Sequence, residues 1–143
     1  CSYGCTRPRS CELEYVSGLF IHGLDHVQLA APPGCESDAR RFFGELLGLS
    51  EVPKPRSLAA RGGVWFSLGE QQLHVGIDES FIPARKGHPA LLVDPAGLEA
   101  LAVRLTAAGL EVVWDEELAQ VRRFYTSDPW GNRIELIGAA ARP

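Results

Sequence analysis

The chain has no strong excess of charge of either sign and no long apolar run, and these two absences exclude whole classes of function. It has 143 residues, of which 22% are charged, and a net charge of −4. A general nucleic-acid binder carries a basic excess, and a membrane helix needs roughly 20 consecutive apolar residues. We therefore expect no nucleic-acid partner, no membrane partner and a cytoplasmic location.

Cysteines are few and unevenly placed. Three of them, Cys1, Cys5 and Cys11, crowd the first segment, whereas Cys35 stands alone. This is neither a paired disulfide framework nor a zinc-finger spacing, so reduced thiols are expected. Residues 1–20 lack both periodicity and the features of a secretory signal. They are expected to form an irregular tail or extension, followed by a single domain over residues 21–143.

From Leu24 onward the pattern is periodic and predicts a module of the order β-α-β-β-β over about residues 24–80. A strand begins at His26 and is broken by Pro32, Pro33 and Gly34; a helical pattern then runs to Gly48, which is placed as a left-handed cap. Three strands are predicted after the helix, at 49–52, 64–68 and 71–77, with a loop over 54–63.

The same order begins again and predicts a second module over about residues 86–139. Its strands are predicted at 88–93, 111–114, 121–126 and 133–138, with a helix that Gly109 caps and a turn over residues 128–131. Positions of the two modules correspond at an offset of 61 or 62 residues, which pairs His26 with His88 and His74 with Glu135. The chain is therefore an internal repeat.

Four polar side chains thus occupy two pairs of equivalent places on strands whose other faces are apolar. Taken singly, each histidine would be a surface or hydrogen-bonded residue, and Glu135 a solvated charge. Packed about a pseudo-twofold axis, the modules would bring them towards one concavity, where imidazoles and a carboxylate suit Zn, Fe(II), Ni, Co or Mn. His22 has no repeat partner and is expected to be structural or exposed.

The paired modules, the strand-initial histidines in LDHVQL and GHPALLV, and the closing DPWGNRIEL resemble the vicinal-oxygen-chelate superfamily over about residues 24–139. This superfamily groups glyoxalase I, bleomycin-resistance proteins, fosfomycin-resistance proteins and extradiol dioxygenases. The resemblance implies an α+β domain with a curved, partly closed mixed sheet and helices outside. It also implies one divalent metal with ligands at His26, His74, His88 and Glu135. A homodimer is expected from the resemblance and from unpaired sheet edges.

The branch within this superfamily is left open by three positions. His74 stands where glyoxalase-like enzymes usually carry a carboxylate that takes part in proton transfer. Gln28, expected to contact the substrate, stands where fosfomycin transferases carry a threonine. Tyr125 lies ten residues before Glu135, as in extradiol dioxygenases, but this spacing is shared more widely.

Basic residues in two loops suggest the charge of the substrate. Both lysines of the chain, Lys54 and Lys86, lie with Arg61 and Arg85 in the loops that flank the hairpin of the first module. Cations near a metal hold a carboxylate or phosphate by charge-assisted hydrogen bonds, so a small organic anion is the expected ligand. The alternative is that these are solvated loop charges.

The predicted function is that of a glyoxalase-like, metal-dependent isomerase or lyase, with Glu135 as the base and Tyr125 orienting a substrate chelated through vicinal oxygens. One alternative is a metal-free binding protein of the bleomycin-resistance type that sequesters a drug or metabolite. A further alternative is an extradiol-type dioxygenase with Fe(II) on His26, His88 and Glu135.

Overall fold

Eight strands and three short α-helices lie in the part of the chain that the structure, a computed structural model, describes: residues 20–21 and 23–139. The predictions for residues 1–19 and for His22 fall outside this part. The first module contains β1 (His26–Ala31), α1 (Glu36–Ala39), β2 (Glu51–Val52), α2 (Arg56–Ala59), β3 (Val64–Leu68) and β4 (Gln71–Ile77). The second module contains β5 (Ala90–Val93), α3 (Leu98–Ala107), β6 (Val113–Asp115), β7 (Arg123–Ser127) and β8 (Arg133–Gly138).

The two modules have the same topology. Their sheets have the orders β1-β4-β3-β2 and β5-β8-β7-β6. In each sheet the first and last strands of the module pair in parallel, and the other neighbours pair antiparallel. A parallel pair requires a long crossover, and the helical segment after the first strand supplies the start of it. The predicted fold of two βαβββ modules is confirmed.

The helix of the first module differs from the single α-helix that the sequence predicts. After α1 the chain becomes π-helical over Arg40–Leu46, where the Leu47 amide donates to the Phe42 carbonyl at 3.0 Å. Such a turn is wider than an α-helical one. Two consecutive aromatic residues, Phe42 and Phe43, are both buried on this segment.

Other boundaries move by a few residues. The loop predicted over 54–63 contains α2. The strand predicted from His88 begins at Ala90, because Pro89 has no amide to give to a ladder. β6 and β7 each begin two residues later and end one residue later than predicted, and Asp115 at the end of β6 lies opposite Arg123.

One core lies between the sheets and the helices. The largest fully buried side chains come from both modules: Phe42, Phe43, Phe66, Leu73, Val75, Leu98, Leu105, Phe124, Ile134 and Leu136. The strand members of this set are at the alternate positions that the sequence pattern assigns to the apolar face. Each sheet therefore keeps its opposite face for polar side chains.

Asn132 ties the second module to the first. Its side chain is buried and donates through Nδ2 to the Ala30 carbonyl at 2.9 Å, while its Oδ1 accepts from the Ala84 amide at 2.9 Å. Its Nδ2 also donates to Asp128 Oδ2 at 2.6 Å. Burial raises the pKa of the Asp128 carboxyl despite these hydrogen bonds. The turn that precedes β8 is thus fixed against the end of β1.

Across residues 20–21 and 23–139, no helix has the length and apolarity that crossing a membrane demands.

Candidate functional site

His26 and His74 form the first of two side-chain pairs. They lie on the polar face of the adjacent strands β1 and β4, with ring centroids 4.3 Å apart and ring planes inclined by 20°. Trp65 of β3 is directly opposite His74 and stacks on its other side, at 3.8 Å and 2°. Three parallel rings therefore hold the His26–His74 pair in place.

The histidine ring nitrogens of this pair have different partners. His26 Nδ1 donates to Asp25 Oδ1 at 2.7 Å, which leaves Nε2 free. His74 Nε2 donates to Gln72 Oε1 at 2.8 Å. Burial, together with the charges of His26 and Lys54, holds the pKa of His74 below its ordinary value. His74 is therefore kept as a neutral imidazole, the form that binds a metal.

His88 and Glu135 form the second pair. His88 Nε2 lies 2.9 Å from Glu135 Oε2, and His88 Nδ1 donates to the Lys86 carbonyl at 2.8 Å. The Glu135 side chain is only 6% exposed. It is therefore not the solvated charge that a single glutamate on a strand would suggest, and its burial requires partners.

One of those partners, Arg123, was missed by the sequence analysis, and so was Asp115, which anchors Arg123. Arg123 Nη1 donates to Glu135 Oε1 at 3.0 Å, and Arg123 Nη2 donates to Asp115 Oδ2 at 2.7 Å. The signal that could have found Arg123 is its place two residues before Tyr125, which puts both side chains on one face of β7.

Tyr125 lies between the His88–Glu135 pair and the basic residues around it. The Arg133 guanidinium lies over its ring at 3.8 Å, and its ring meets His88 edge-on at 5.5 Å. The Glu117 amide, and then Arg123 and the Tyr125 hydroxyl, lower the pKa of the Asp115 carboxyl. The hydroxyl of Tyr125 is thus directed towards Asp115.

A cavity of about 430 Å³ opens beside this face of the second sheet. Two arginines, Arg85 and Arg133, line it together with Glu111, Val113, Tyr125 and Ser127. Its size is in the range of pockets for small molecules. Arg85, one of the residues predicted to contact an anion, lines this cavity, and Arg133 is a second cation in the lining that the sequence analysis did not assign.

The other predicted substrate residues lie outside the lining of this cavity. Gln28 lies on the polar face of β1, with its amide over Gly76, where a Cβ would come within 2.7 Å of Gln28 Nε2. Lys54 donates to the Gly62 carbonyl. Arg61 and Lys86 are exposed in their loops. Their contact with a substrate stays a prediction.

The structure brings the four predicted metal ligands together as two pairs, not as one cluster. Among the described residues no group of three or more His, Cys, Asp or Glu side chains is arranged to hold a metal ion. Within the second pair, however, His88 Nε2 and Glu135 Oε2 are 2.9 Å apart. Two ligand atoms that each lie about 2.1 Å from an ion, at right angles to each other, are separated by about 3 Å, so this distance is that of two metal ligands. The donor chemistry of the His88–Glu135 pair fits two ligands of a divalent ion, and the His26–His74 pair supplies imidazoles, a ligand type that such an ion binds.

Both strand-initial histidines also have the support that metal ligands need. Nδ1 of His26 is bonded to a carboxylate and Nδ1 of His88 to a backbone carbonyl, so that Nε2 of each ring is directed to the polar face. Such bonds to the distal nitrogen orient the ring of a metal-binding histidine.

The paired modules and their polar faces define a member of the vicinal-oxygen-chelate superfamily. Comparison with solved structures gives a glyoxalase family protein from Bacillus anthracis at 47% identity and a TM-score of 0.78, covering 82% of this chain and 95% of that one. This chain belongs to the glyoxalase family. Protein-family models and curated proteins give no match.

More distant structures share the fold. A lactoylglutathione lyase from Agrobacterium tumefaciens is 22% identical with a TM-score of 0.62, over 80% of this chain and 92% of that one. A mutant of the fosfomycin resistance protein FosX from Listeria monocytogenes, complexed with Mn(II) and a dihydroxypropylphosphonic acid, is 17% identical with a TM-score of 0.67. That match covers 84% of this chain and 92% of the FosX chain.

Proposed function

We propose that this protein is a metal-dependent enzyme of the isomerase or lyase type that acts on a small organic anion chelated through two neighbouring oxygens. The observation that carries the proposal is the placement of His88 Nε2 and Glu135 Oε2, 2.9 Å apart, on the face that holds Arg133 and Tyr125. Two side chains at the spacing of metal ligands, His88 and Glu135, and a cavity lined by Arg85 and Arg133 thus lie on the same face of the second sheet.

The metal site would be completed by a second copy of the chain. The His26–His74 pair and the His88–Glu135 pair are at equivalent places on two sheets of the same topology, and each supplies only two ligands. In a twofold homodimer, the first sheet of one copy can face the second sheet of the other. The dimer would then hold two sites, each with one pair from either copy.

The residues fit one divalent ion of the Zn, Ni, Co, Mn or Fe group in such a site. When bound, the ion supplies a Lewis acid that polarises the two substrate oxygens and stabilises developing negative charge. Arg85 and Arg133 bind the anionic group of the substrate from the cavity, and Tyr125 lies between them and the ligand pair.

Glu135 is the residue placed to move a proton. It is buried, and it lies directly opposite Tyr125, which lines the cavity. His74 stands where the resemblance implies a carboxylate in glyoxalase-like enzymes, and its Nε2 donates to Gln72 Oε1. Proton transfer to Oε2 of Glu135 is therefore the proposed step, and this oxygen can accept a proton only while it does not bind the ion.

A second candidate function is favoured by one observation. Because no cluster of three ligands forms among the described residues, the chain also suits a metal-free binding protein that holds a drug or metabolite in the same concavity. The His26, His88 and Glu135 set would in addition serve an Fe(II) dioxygenase.

Metal analysis separates these functions. Purified protein is treated with chelator, supplemented with each divalent metal in turn, and analysed for bound metal. One ion per chain, lost in Glu135→Gln but kept in Glu79→Gln, would support the enzyme; Glu79 is an exposed loop residue and serves as the control. No bound metal would favour the binding protein. Turnover that stops without oxygen would favour the dioxygenase.

A further inference from the structure

Arg123 is the centre of a partly buried chain of polar contacts that ends at the His88–Glu135 pair. Its guanidinium joins Asp115 Oδ2 at 2.7 Å to Glu135 Oε1 at 3.0 Å. The three side chains are 16%, 14% and 6% exposed, in the order Arg123, Asp115 and Glu135. A forked contact between two carboxylates in this degree of burial has a fixed geometry, because the planar guanidinium has its donors in set directions.

Strand register dictates these contacts. Asp115 of β6 is directly opposite Arg123 of β7, and Tyr125 is directly opposite Glu135 of β8. Arg123 therefore reaches Glu135 along the diagonal of the antiparallel pair, a distance that a long side chain can span. The ladder of three strands, rather than a mobile loop, sets the position of the guanidinium.

We propose that Arg123, anchored by Asp115, is a positioning residue that engages one oxygen of Glu135 and leaves the other, beside His88 Nε2, as the single oxygen offered to a metal. Glu135 Oε1 is occupied by Arg123, and Oε2 lies at 2.9 Å from the histidine nitrogen. The effect of Arg123 on metal affinity rests on the proposed function, whereas its effect on the orientation of the Glu135 carboxylate does not.

The first module has no equivalent of this device. Val52 opposite Trp65 corresponds to Val113 opposite Tyr125. By position in the sequence, Lys54 and Gly63 then stand in place of Asp115 and Arg123, and both lie beyond the end of the β2–β3 ladder. The His26–His74 pair is held instead by ring stacking. The two pairs are therefore oriented by different means: stacking for the imidazoles, a salt-bridged arginine for the carboxylate.

The positive charge of Arg123 weakens the binding of a cation, whereas its effect on the orientation of Glu135 strengthens it. The two effects must therefore be tested separately. Removing Arg123 alone takes a positive charge away from the site, which by itself favours a cation. The double variant Asp115→Asn/Arg123→Met keeps the net charge of the parent protein, because the two residues carry opposite charges. The nearer of the two removed charges is the positive one, so electrostatics alone would strengthen the binding of a cation, and a weaker metal affinity in the double variant indicates a loss of positioning.

The experiment measures Co(II) binding by competition with a chelator, together with the visible absorption spectrum of bound Co(II), which reports ligand number and geometry. The expected result is an affinity about 10-fold to 100-fold weaker in the double variant, the usual cost of losing an outer partner of a ligand. Its spectrum should also change, and Arg123→Lys should recover part of the affinity.

Arg122→Met is the matched control. Arg122 is the neighbouring arginine, also pairs with a carboxylate, Glu99, and lies over Trp114 rather than near Glu135. Its Co(II) affinity and spectrum should equal those of the parent. Equal affinities and spectra in the double variant and in Arg122→Met would overturn the positioning role.

A crystal structure of metal-free Arg123→Met tests the orientation without any metal. The expected result is that the Glu135 carboxylate turns away from His88 or loses its single conformation. If it keeps the 2.9 Å contact to His88 Nε2, the inference is wrong. If the parent protein binds no Co(II), the proposed metal-dependent function fails, and this crystallographic result still decides the role of Arg123.

Discussion

Two chains with complementary defects give the sharpest test of where the metal site lies. His26→Ala removes a ligand of the first pair, and Glu135→Gln removes a ligand of the second pair. We propose to co-express chains with two different affinity tags and to isolate only dimers that contain both chains. In the trans arrangement each chain carries one substitution; in the cis arrangement one chain carries both substitutions and the other carries none.

The expected metal content follows from the two separate pairs. If a site takes one pair from each copy, the trans dimer has one intact site and one site with two defects, so it binds about half of the metal of the parent. The cis dimer has one defect in each site and binds little. If instead one chain forms a whole site by itself, the trans dimer binds little and the cis dimer binds about half.

Metal per chain is measured after chelation, supplementation with Co(II) or Mn(II), and removal of free ion. The two arrangements contain the same substitutions in the same number, so a general loss of stability affects them equally. A cis dimer that binds as much as or more than the trans dimer refutes a site shared between two copies, as does a parent protein that is monomeric in light scattering at every concentration.

Three further expectations concern stability and binding. Gly63→Ala should lower the free energy of unfolding in urea far more than Gly69→Ala does. Both glycines have a positive φ. A Cβ at position 63 would lie 2.2 Å from the Val75 carbonyl oxygen, whereas a Cβ at position 69 would have no atom within 4 Å. The strain at Gly69 alone should cost about 1–2 kcal/mol. The Glu36 carboxylate accepts a hydrogen bond from the Gly63 amide, and this bond lowers the pKa of Glu36 in the folded protein. The stability that Glu36 contributes is therefore present above the pKa that it has in the unfolded chain, and it is lost as the pH falls through the pKa that it has in the folded protein. Glu36→Gln should cost about 0.5–1.5 kcal/mol at neutral pH and nothing in strong acid. Arg85→Glu should raise the dissociation or Michaelis constant for an anionic ligand about tenfold or more, as measured by titration calorimetry or steady-state kinetics, whereas Arg41→Glu on the outer helix should leave it unchanged.

The fold could be predicted from the sequence because the periodicity of the strands and the repeat agree. The boundaries 64–68, 71–77 and 133–138 match the observed strands, and both predicted caps, Gly48 and Gly109, have positive φ. These features are local: alternation and cap geometry depend on a few neighbouring residues. The π-helical turn was not predictable, since its apolar spacing is also that of an α-helix.

The candidate site was predicted only in part, for a different reason. The repeat was enough to make His26 equivalent to His88 and His74 equivalent to Glu135. The observed contacts, His26 with His74 and His88 with Glu135, follow from the parallel pairing of the first and last strands of each module. The Arg123–Asp115 contact depends on the register between β6 and β7, and the sequence pattern misplaces the ends of both strands by one or two residues. A register shift of one residue would move every side chain of a strand to the opposite face of the sheet. Whether the two pairs meet depends on how sheets associate, which periodicity does not encode.

The hydrogen bond of the Asn132 side chain to the first module bears on the order in which the chain folds. This bond, to the Ala30 carbonyl, joins residues 102 positions apart, so it closes one of the longest loops the chain can form and carries a correspondingly large entropic cost. Both strands that it locks, β1 and β8, must already be in their sheets for the contact to exist. We therefore expect this contact to form late in folding and to stabilise the protein chiefly by slowing its unfolding. On a growing chain, the first module completes its sheet at Ile77 well before this lock is synthesised.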